Sequence, residues 1–243
     1  MSDHAPGHPE IVRVVAPNPG PMTLEGTNTF VVADGGSSYV IDPGPDDAGH
    51  LGRVREAAEA AGEIAGVLLT HSHGDHAESA ATLGPPVLWP DGGESSVGPF
   101  RVVPTPGHSE DHVVFMLGDV CFCGDLILGE GSTYVPPDGG SLTAYLDSLA
   151  RLRELQPELL CPGHGPWVTD PTAKIEEYID HRLDRERKLV AALDSGERSR
   201  AALLDAAWDD VPPELRPVAN AVMFAHLQKL EAEGRLPPEP LTD

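Results

Sequence analysis

The sequence predicts an α/β fold in which two β-sheets lie between layers of helices. Short apolar runs alternate with amphipathic helical stretches in two successive rounds. Side chains that can bind metals follow the ends of several of these runs. After Trp167 the alternation stops and only helical patterns remain. We therefore predict a catalytic α/β domain at residues 1–167 and a small helical module at residues 168–243.

The first round contains a hairpin, a helix and a strand. Strands at residues 30–32 and 38–41 flank a turn of the Asp-Gly-Gly type. Apolar residues at helical spacing predict a helix over 46–61, and Gly62 ends it. The apolar run 64–69 is then a strand that leads directly into a histidine-rich segment.

The second round repeats this order. A short apolar run at 100–103 is followed by a predicted hairpin with strands at 112–117 and 120–122. Ser141 is a typical N-cap residue for a helix that continues to Leu155. These elements complete the second sheet and its covering helix.

The C-terminal part is predicted to be helical. Apolar residues on one face indicate a long helix over 172–193, and two further helical stretches cover 199–208 and 213–233. Residues 230–236 resemble the last helix and turn of a winged-helix module. Such a module either binds nucleic acid or covers an active site.

The segment that follows the strand at 64–69 carries the most informative residues. It reads Thr70-His71-Ser72-His73-Gly74-Asp75-His76. Polar groups packed so closely at a strand end are costly to bury, unless a bound cation turns them into ligands. Other candidates also follow hydrophobic runs and sit in glycine-bearing turns: His108, Asp125 and His164. The pattern predicts that several strand ends converge on one metal site.

This ordered set of residues resembles the metallo-β-lactamase superfamily over residues 10–166. Three segments are also similar to its β-lactamase-like protein 2 subgroup: 18–29, 124–131 and 178–182. The resemblance implies an αββα sandwich followed by a winged-helix-like module. It also implies a hydrolase, although a fold or subgroup determines the chemistry much better than the substrate.

The resemblance also implies the roles of individual residues. Two zinc ions are expected, the first bound by His71, His73 and His108, and the second by Asp75, His76 and His164. Asp125 is expected to bridge them. Two such ions acidify a shared water toward a pKa near 7, and the resulting hydroxide would attack the substrate. Asp75 and Asp125 are candidate catalytic proton carriers.

Several further residues have two interpretations. Asp42 matches an aspartate that orients a ligand histidine in the family, but Asp-Pro-Gly is also an ordinary turn sequence. Three residues are candidate substrate contacts or members of a solvated helix face: His181, Arg182 and Arg185. The remaining histidines are expected to be incidental (His4, His8, His50), to be no ligand (His112) or to be a hydrogen-bonded core residue (His226).

The leading functional hypothesis is a dinuclear zinc hydrolase that acts on a small ester, thioester or phosphodiester. One alternative is an endoribonuclease on single-stranded RNA, the activity that the subgroup resemblance suggests. Another is a persulfide dioxygenase with one Fe²⁺, because imidazole and carboxylate also suit iron. True β-lactam hydrolysis is less favoured, since the N-terminus has no features of a secretory signal.

Composition limits the partners and the compartment. The net charge is −23, and all three lysines lie in the C-terminal part. This charge argues against a broad surface for nucleic-acid phosphates, which requires clustered cations. The odd cysteine count, three, is typical of reduced thiols. With no apolar segment long enough for a bilayer, we expect a cytoplasmic protein without a membrane partner. We expect its substrate to be a small acyl or nucleotide compound. The sequence does not indicate the oligomeric state.

Overall fold

Two β-sheets form the centre of the protein. The computed structural model describes residues 2–84, 87–88 and 93–243. The first sheet has six strands in sequential order: β1 (Ser2–Ala5), β2 (His8–Val15), β3 (Asn28–Asp34), β4 (Ser37–Ile41), β5 (Glu63–Leu68) and β6 (Val87–Leu88). The second has five in reverse sequential order: β11 (Leu159–Pro162), β10 (Val120–Gly124), β9 (Val113–Leu117), β8 (Phe100–Pro104) and β7 (Ser95–Val97).

Helices lie on the outer face of each sheet and at the C-terminus. They are α1 (Ala48–Ala61), α2 (Gly74–Ala77), α3 (Leu142–Leu155), α4 (Pro171–Asp194), α5 (Arg200–Ala207) and α6 (Arg216–Ala232). Short 3₁₀ turns cover Ala80–Leu83 and Pro213–Leu215. None of the helices in the described ranges has the length and apolar character that a membrane span needs.

Alternation along the strands separates three hydrophobic layers. In β3, Phe30 and Val32 face the core between the sheets, whereas Val31 faces α1. In β10, Phe122 lies in the same central core, while Cys121 and Cys123 face α3 and α4. Because successive side chains of a strand point to opposite faces, each sheet is apolar on both sides. The predicted αββα order of layers is therefore confirmed.

The cysteines follow this layering. Cys121 and Cys123 share the outer face of β10, as their two-residue spacing predicts, and Cys161 faces the central core. All three are buried free thiols. Burial raises the pKa of Cys121 and Cys161 well above the usual range. They are therefore unreactive packing residues.

The predicted hairpins and helices are present within one or two residues at most ends. Ser141 caps α3 by accepting a hydrogen bond from the backbone of Ala144 at 3.2 Å, as predicted. The N-terminal hairpin of β1 and β2 was not predicted. In its outer strand Ala5 is buried, whereas Asp3 and His4 are exposed, so pairing with β2 rather than an apolar pattern determines its structure.

The C-terminal helices have a core of their own. Apolar residues of α4, α5 and α6 pack together, with Leu189, Leu203 and Met223 fully buried. The first half of α4 packs instead against the second sheet through Ile175 and Tyr178. Helix α4 therefore joins the sandwich to the helical module, and a boundary near residue 168 remains a prediction.

Candidate metal centre

Four strand ends converge on one site. The segment 70–76 follows β5, His108 follows β8, Asp125 follows β10 and His164 follows β11. Strands β10 and β11 are parallel neighbours, so their carboxyl ends bring Asp125 and His164 to the same edge. The side chains of all seven predicted ligands meet here.

Three histidines form one group. The Nδ1 atom of His73 lies 3.0 Å from Nε2 of His71 and 3.0 Å from Nε2 of His108. A tetrahedral zinc ion with bonds of about 2.0–2.1 Å separates its nitrogen ligands by about 3.4 Å. Both of these distances are therefore within a few tenths of an ångström of the spacing that one ion requires.

Asp75, His76 and His164 form the second group. Nε2 of His76 lies 3.3 Å from Nε2 of His164, and Oδ2 of Asp75 lies 3.3 Å from that same His164 atom. His76 and His164 are buried, whereas Asp75 is half-buried. The second group therefore has two fixed nitrogens and one carboxylate that reaches the surface.

Asp125 lies between the two groups. Its Oδ1 is 3.5 Å from Nε2 of both His76 and His164, and its Oδ2 is 3.8 Å from Nε2 of His108. Oδ1 is buried and has no hydrogen-bond partner among the described residues. A buried carboxylate oxygen without a donor is costly, and a cation would remove that cost.

Protein acceptors orient four of the five histidines. Their Nδ1 atoms face an oxygen at 2.7–3.2 Å: Thr70 Oγ1 for His71, Asp42 Oδ2 for His76, the Tyr134 carbonyl for His108 and the Gly26 carbonyl for His164. Each Nδ1 therefore donates a hydrogen bond, which leaves Nε2 directed into the site with a lone pair for a metal once that nitrogen is deprotonated. Metal-binding histidines are typically held in this way.

Asp42 connects two of these contacts. Its Oδ1 accepts from the backbone of Thr70 at 2.8 Å, and its Oδ2 accepts from the Thr70 hydroxyl at 2.7 Å and lies 3.0 Å from Nδ1 of His76. The residue is buried and has a φ of +50°, an uncommon conformation for aspartate. Its carboxylate is thereby aimed at the histidine cluster rather than at a local turn.

Charge and burial shift the pKa values in opposite directions within the site. Burial lowers the pKa of His71 well below its usual value, and the nearby His76 lowers it further. Burial also opposes charge on His164, but Asp125 and Asp75 outweigh it and raise its pKa to about 9. For Asp125, burial acts to raise the pKa, yet His164 and His76 bring it well below the usual range. Asp125 is therefore an anion.

Glycine is required where the backbone approaches the cluster. A Cβ atom on Gly163 would lie 2.5 Å from Oδ1 of Asp125 and 2.6 Å from Cε1 of His76. Neither neighbour can move without displacing the site. The glycine-bearing turn before His164 thus allows β11 to lie directly against the carboxylate.

The three candidate substrate residues lie on α4, next to the loop that follows Asp125. Arg182 donates to the carbonyl of Thr133, and Arg185 pairs with Asp210 at 2.7 Å. Both arginines are buried, so the alternative of a solvated helix face is wrong for them. Nδ1 of His181 is 3.4 Å from the hydroxyl of Ser132. All three line one cavity, and its lining includes none of the seven cluster residues.

Sequence reasoning missed several buried groups. His50 is not incidental: it is fully buried, and its Nε2 lies 2.9 Å from Oγ1 of Thr29 and 3.0 Å from the carbonyl of Pro43, beneath the Asp42 turn. His226 is buried, but neither ring nitrogen has a hydrogen-bond partner among the described residues. The expectation of a hydrogen-bonded core residue was therefore wrong. His112 is buried, and its ring centre lies 5.2 Å from that of His71. Its Nδ1 lies 2.9 Å from Oγ1 of Thr105.

Two family models match the chain. The model of the metallo-β-lactamase superfamily matches residues 22–86 and 85–164. The model of the β-lactamase-associated winged helix domain matches residues 199–237. The first match contains all seven residues of the cluster, and the second covers α5 and α6.

Relatives and solved structures agree with these matches. The chain is 31% identical to the β-lactamase-like protein 2 homologue of Drosophila melanogaster, over 93% of this chain and 89% of that protein. It is 35% identical to the atrochrysone carboxyl ACP thioesterase of Aspergillus chevalieri, over 79% of this chain and 68% of that protein. A metallo-β-lactamase family protein from Thermus thermophilus shares the fold, with a TM-score of 0.75 at 23% identity over 94% of this chain and 95% of that one. The chain belongs to the metallo-β-lactamase superfamily and is a metal-dependent hydrolase.

Proposed function

We propose that this chain is a dinuclear zinc hydrolase that cleaves acyl thioesters or esters. His71, His73 and His108 would hold one ion, and Asp75, His76 and His164 the other. The observation that supports this most directly is the position of Asp125. One of its oxygens lies near the second group and the other near His108, as expected for a bridging carboxylate. Nitrogen and oxygen ligands of this kind suit zinc.

The cluster residues would bind the metals, and one of them would also transfer a proton. Bound divalent cations would supply Lewis acidity and would lower the pKa of water toward 7. The four oriented histidines are held by hydrogen bonds to protein acceptors, and Asp125 is buried between the two groups, so these residues would fix the geometry. Asp75 is the half-buried carboxylate of the second group and can exchange protons with solvent. We assign to Asp75 the transfer of a proton to the leaving group.

The substrate class is inferred from charge and from a relative. A protein 35% identical to this chain is named as a thioesterase of an acyl carrier protein. The net charge of −23 opposes binding of extended polyanions such as RNA. An acyl thioester or ester has an electrophilic carbonyl, and its binding does not require a surface of clustered cations. We therefore favour acyl transfer to water over phosphodiester cleavage.

Metal analysis of the purified chain tests the number and identity of the ions. About two zinc ions per chain are expected. One iron per chain, together with oxygen uptake on a persulfide, would instead establish the dioxygenase alternative. Removal of the metal with a chelator should abolish hydrolysis, and zinc should restore it.

A substrate panel tests the reaction. It contains acyl thioesters, p-nitrophenyl esters, lactones, β-lactams and short single-stranded RNAs, each assayed with the wild type and with Asp75→Ala. We expect metal-dependent cleavage of thioesters or esters that Asp75→Ala abolishes while its thermal unfolding stays cooperative. Turnover of the same substrates by Asp75→Ala at the wild-type rate would refute the mechanism, and cleavage of RNA alone would refute the substrate class.

A further inference from the structure

A cavity of about 430 Å³ has Tyr134 in its wall, and the carbonyl of this residue contacts His108 of the metal centre. It opens between the loop that contains Met22, the segment 128–134 and the helices α4 to α6. Its walls are mainly apolar and include Tyr134, Trp208 and Val222. Cavities of about 300–1,000 Å³ lined by apolar side chains are typical of sites for small organic groups.

The cavity walls are built on the segments that hold the histidines of the centre. The carbonyl of Tyr134 accepts the hydrogen bond from Nδ1 of His108 at 2.7 Å. Leu128 is followed by Gly129, whose backbone donates to the carbonyl of His164 at 2.9 Å. The segment 128–134, which forms part of the cavity wall, therefore also contacts one histidine of each ligand group.

The arginines of the cavity wall already have hydrogen-bond partners within the protein. Arg185 donates to the carbonyl of Ala207 at 2.7 Å and to Oδ2 of Asp210 at 2.9 Å. Arg182 donates to the carbonyl of Thr133 and lies 5.4 Å from the centre of the Tyr145 ring. The wall also contains the acidic Glu177. Among the described lining residues, the buried cations are thus committed to protein partners, and the cavity does not favour phosphate groups.

We propose that this cavity binds the apolar acyl group of the substrate, with its carbonyl directed toward the metal centre. The proposal rests on the proposed function, because it names the part of the ester or thioester that the helical module recognises. Burial of apolar surface would supply the affinity. Each buried methylene should then raise kcat/KM by about fourfold until the cavity is filled.

Hydrolysis of p-nitrophenyl esters from acetyl to dodecanoyl tests the chain-length dependence. The wild type should show kcat/KM that rises with chain length and then levels off. Val218 on α6 lines the cavity and is half-buried, so Val218→Phe should fill it. We expect this variant to lose most of the preference for longer chains, measured as kcat/KM for each ester relative to that for the acetyl ester.

Val190→Phe is the matched control. Val190 is also half-buried and packs on the same helical core, but it is not part of the cavity wall. This variant should keep the chain-length profile of the wild type. A flat profile in the wild type, or the same rising profile in Val218→Phe as in Val190→Phe, would overturn the proposal.

Binding of decanoate, measured by calorimetry, tests whether the cavity binds an acyl chain independently of hydrolysis. The wild type and Val190→Phe should bind decanoate, and Val218→Phe should bind it at least tenfold more weakly. If no ester or thioester is cleaved, the proposed function fails, but this binding difference would still support an apolar acyl site. Equal binding by all three proteins would refute the cavity as the acyl site, even if esters or thioesters are cleaved.

Discussion

The metal centre and the C-terminal helical module both bury ionisable groups, but they treat them differently. In the centre, the Nε2 atoms of four histidines and a carboxylate oxygen of Asp125 face one another. In the module, the buried Glu186 and Arg185 have partners of opposite sign: Lys229 lies 2.8 Å from Glu186, and Asp210 lies 2.7 Å from Arg185. These two charges are paired within the protein, whereas the ligands of the centre need cations to pair them.

The largest expected effect comes from changing the carboxylate between the two ligand groups. Asp125→Asn keeps the size of the side chain but removes its negative charge. Hydrolysis should fall on the order of 10³-fold or more, because several kcal/mol of transition-state stabilisation depend on the metals. Zinc content by mass spectrometry should also fall. Asp119→Asn, at the exposed turn before β10, is the control and should retain full activity. Full activity and two zinc ions in Asp125→Asn would refute a bridging role.

A smaller loss is expected at the residue that positions the centre from outside. Asp42→Asn preserves an acceptor for the Thr70 backbone but replaces the oxygen that faces His76. Zinc affinity, measured by competition with a chelator, should fall about 10- to 100-fold. The exposed neighbour Asp46 provides the control variant Asp46→Asn. Unchanged zinc affinity in Asp42→Asn would show that the Asp42 carboxylate does not orient His76.

The metal centre is easier to predict from the sequence than the helical module. Residues 70–76 are contiguous, and the other three cluster residues lie within four residues of a strand end, so local patterns predict that they meet. The two-residue alternation in β3 and β10 likewise predicts the layers. Whether the cluster residues bind zinc stays a prediction.

The helical module is less predictable because its contacts are distant in sequence. Arg182 looks like a solvated helix residue, yet it is buried because it reaches the Thr133 carbonyl. The role of His50 depends on the Pro43 turn above it, which no spacing rule indicates. The polar strand β1 exists because β2 offers an edge. In each case tertiary contacts override the local pattern.

Breaking a partnered charge in the module should affect stability and leave the metals in place. Arg185→Met removes hydrogen bonds to Ala207 and Asp210. The Asp210 side chain is 62% exposed and stays hydrated, so the loss should be about 1–3 kcal/mol in urea unfolding. Arg187→Met, on the exposed face of α4, should change little. Loss of zinc from Arg185→Met without loss of stability would contradict this separation.

His226 is the exception within the module, and it predicts the smallest effect. Burial, then Arg182 and Lys229, lower the pKa of this histidine to about 3, and Arg185 and His181 face it as well. The ring is therefore neutral in the folded protein, while in the unfolded chain it takes up a proton below about pH 6.5. Stability is fully present above pH 6.5 and is lost as the pH falls toward 3, by about 2 kcal/mol at pH 5.

His226→Phe should remove this acid sensitivity, because an aromatic ring can keep the contact with Trp208 without a titrating nitrogen. The difference in unfolding free energy between pH 7 and pH 5, measured with saturating zinc, should shrink by about 2 kcal/mol relative to the wild type. His4→Phe, at an exposed position, should leave that difference unchanged. An identical pH dependence in His226→Phe and the wild type would mean that the folded protein also protonates His226, and that the module holds a charge there despite the surrounding cations.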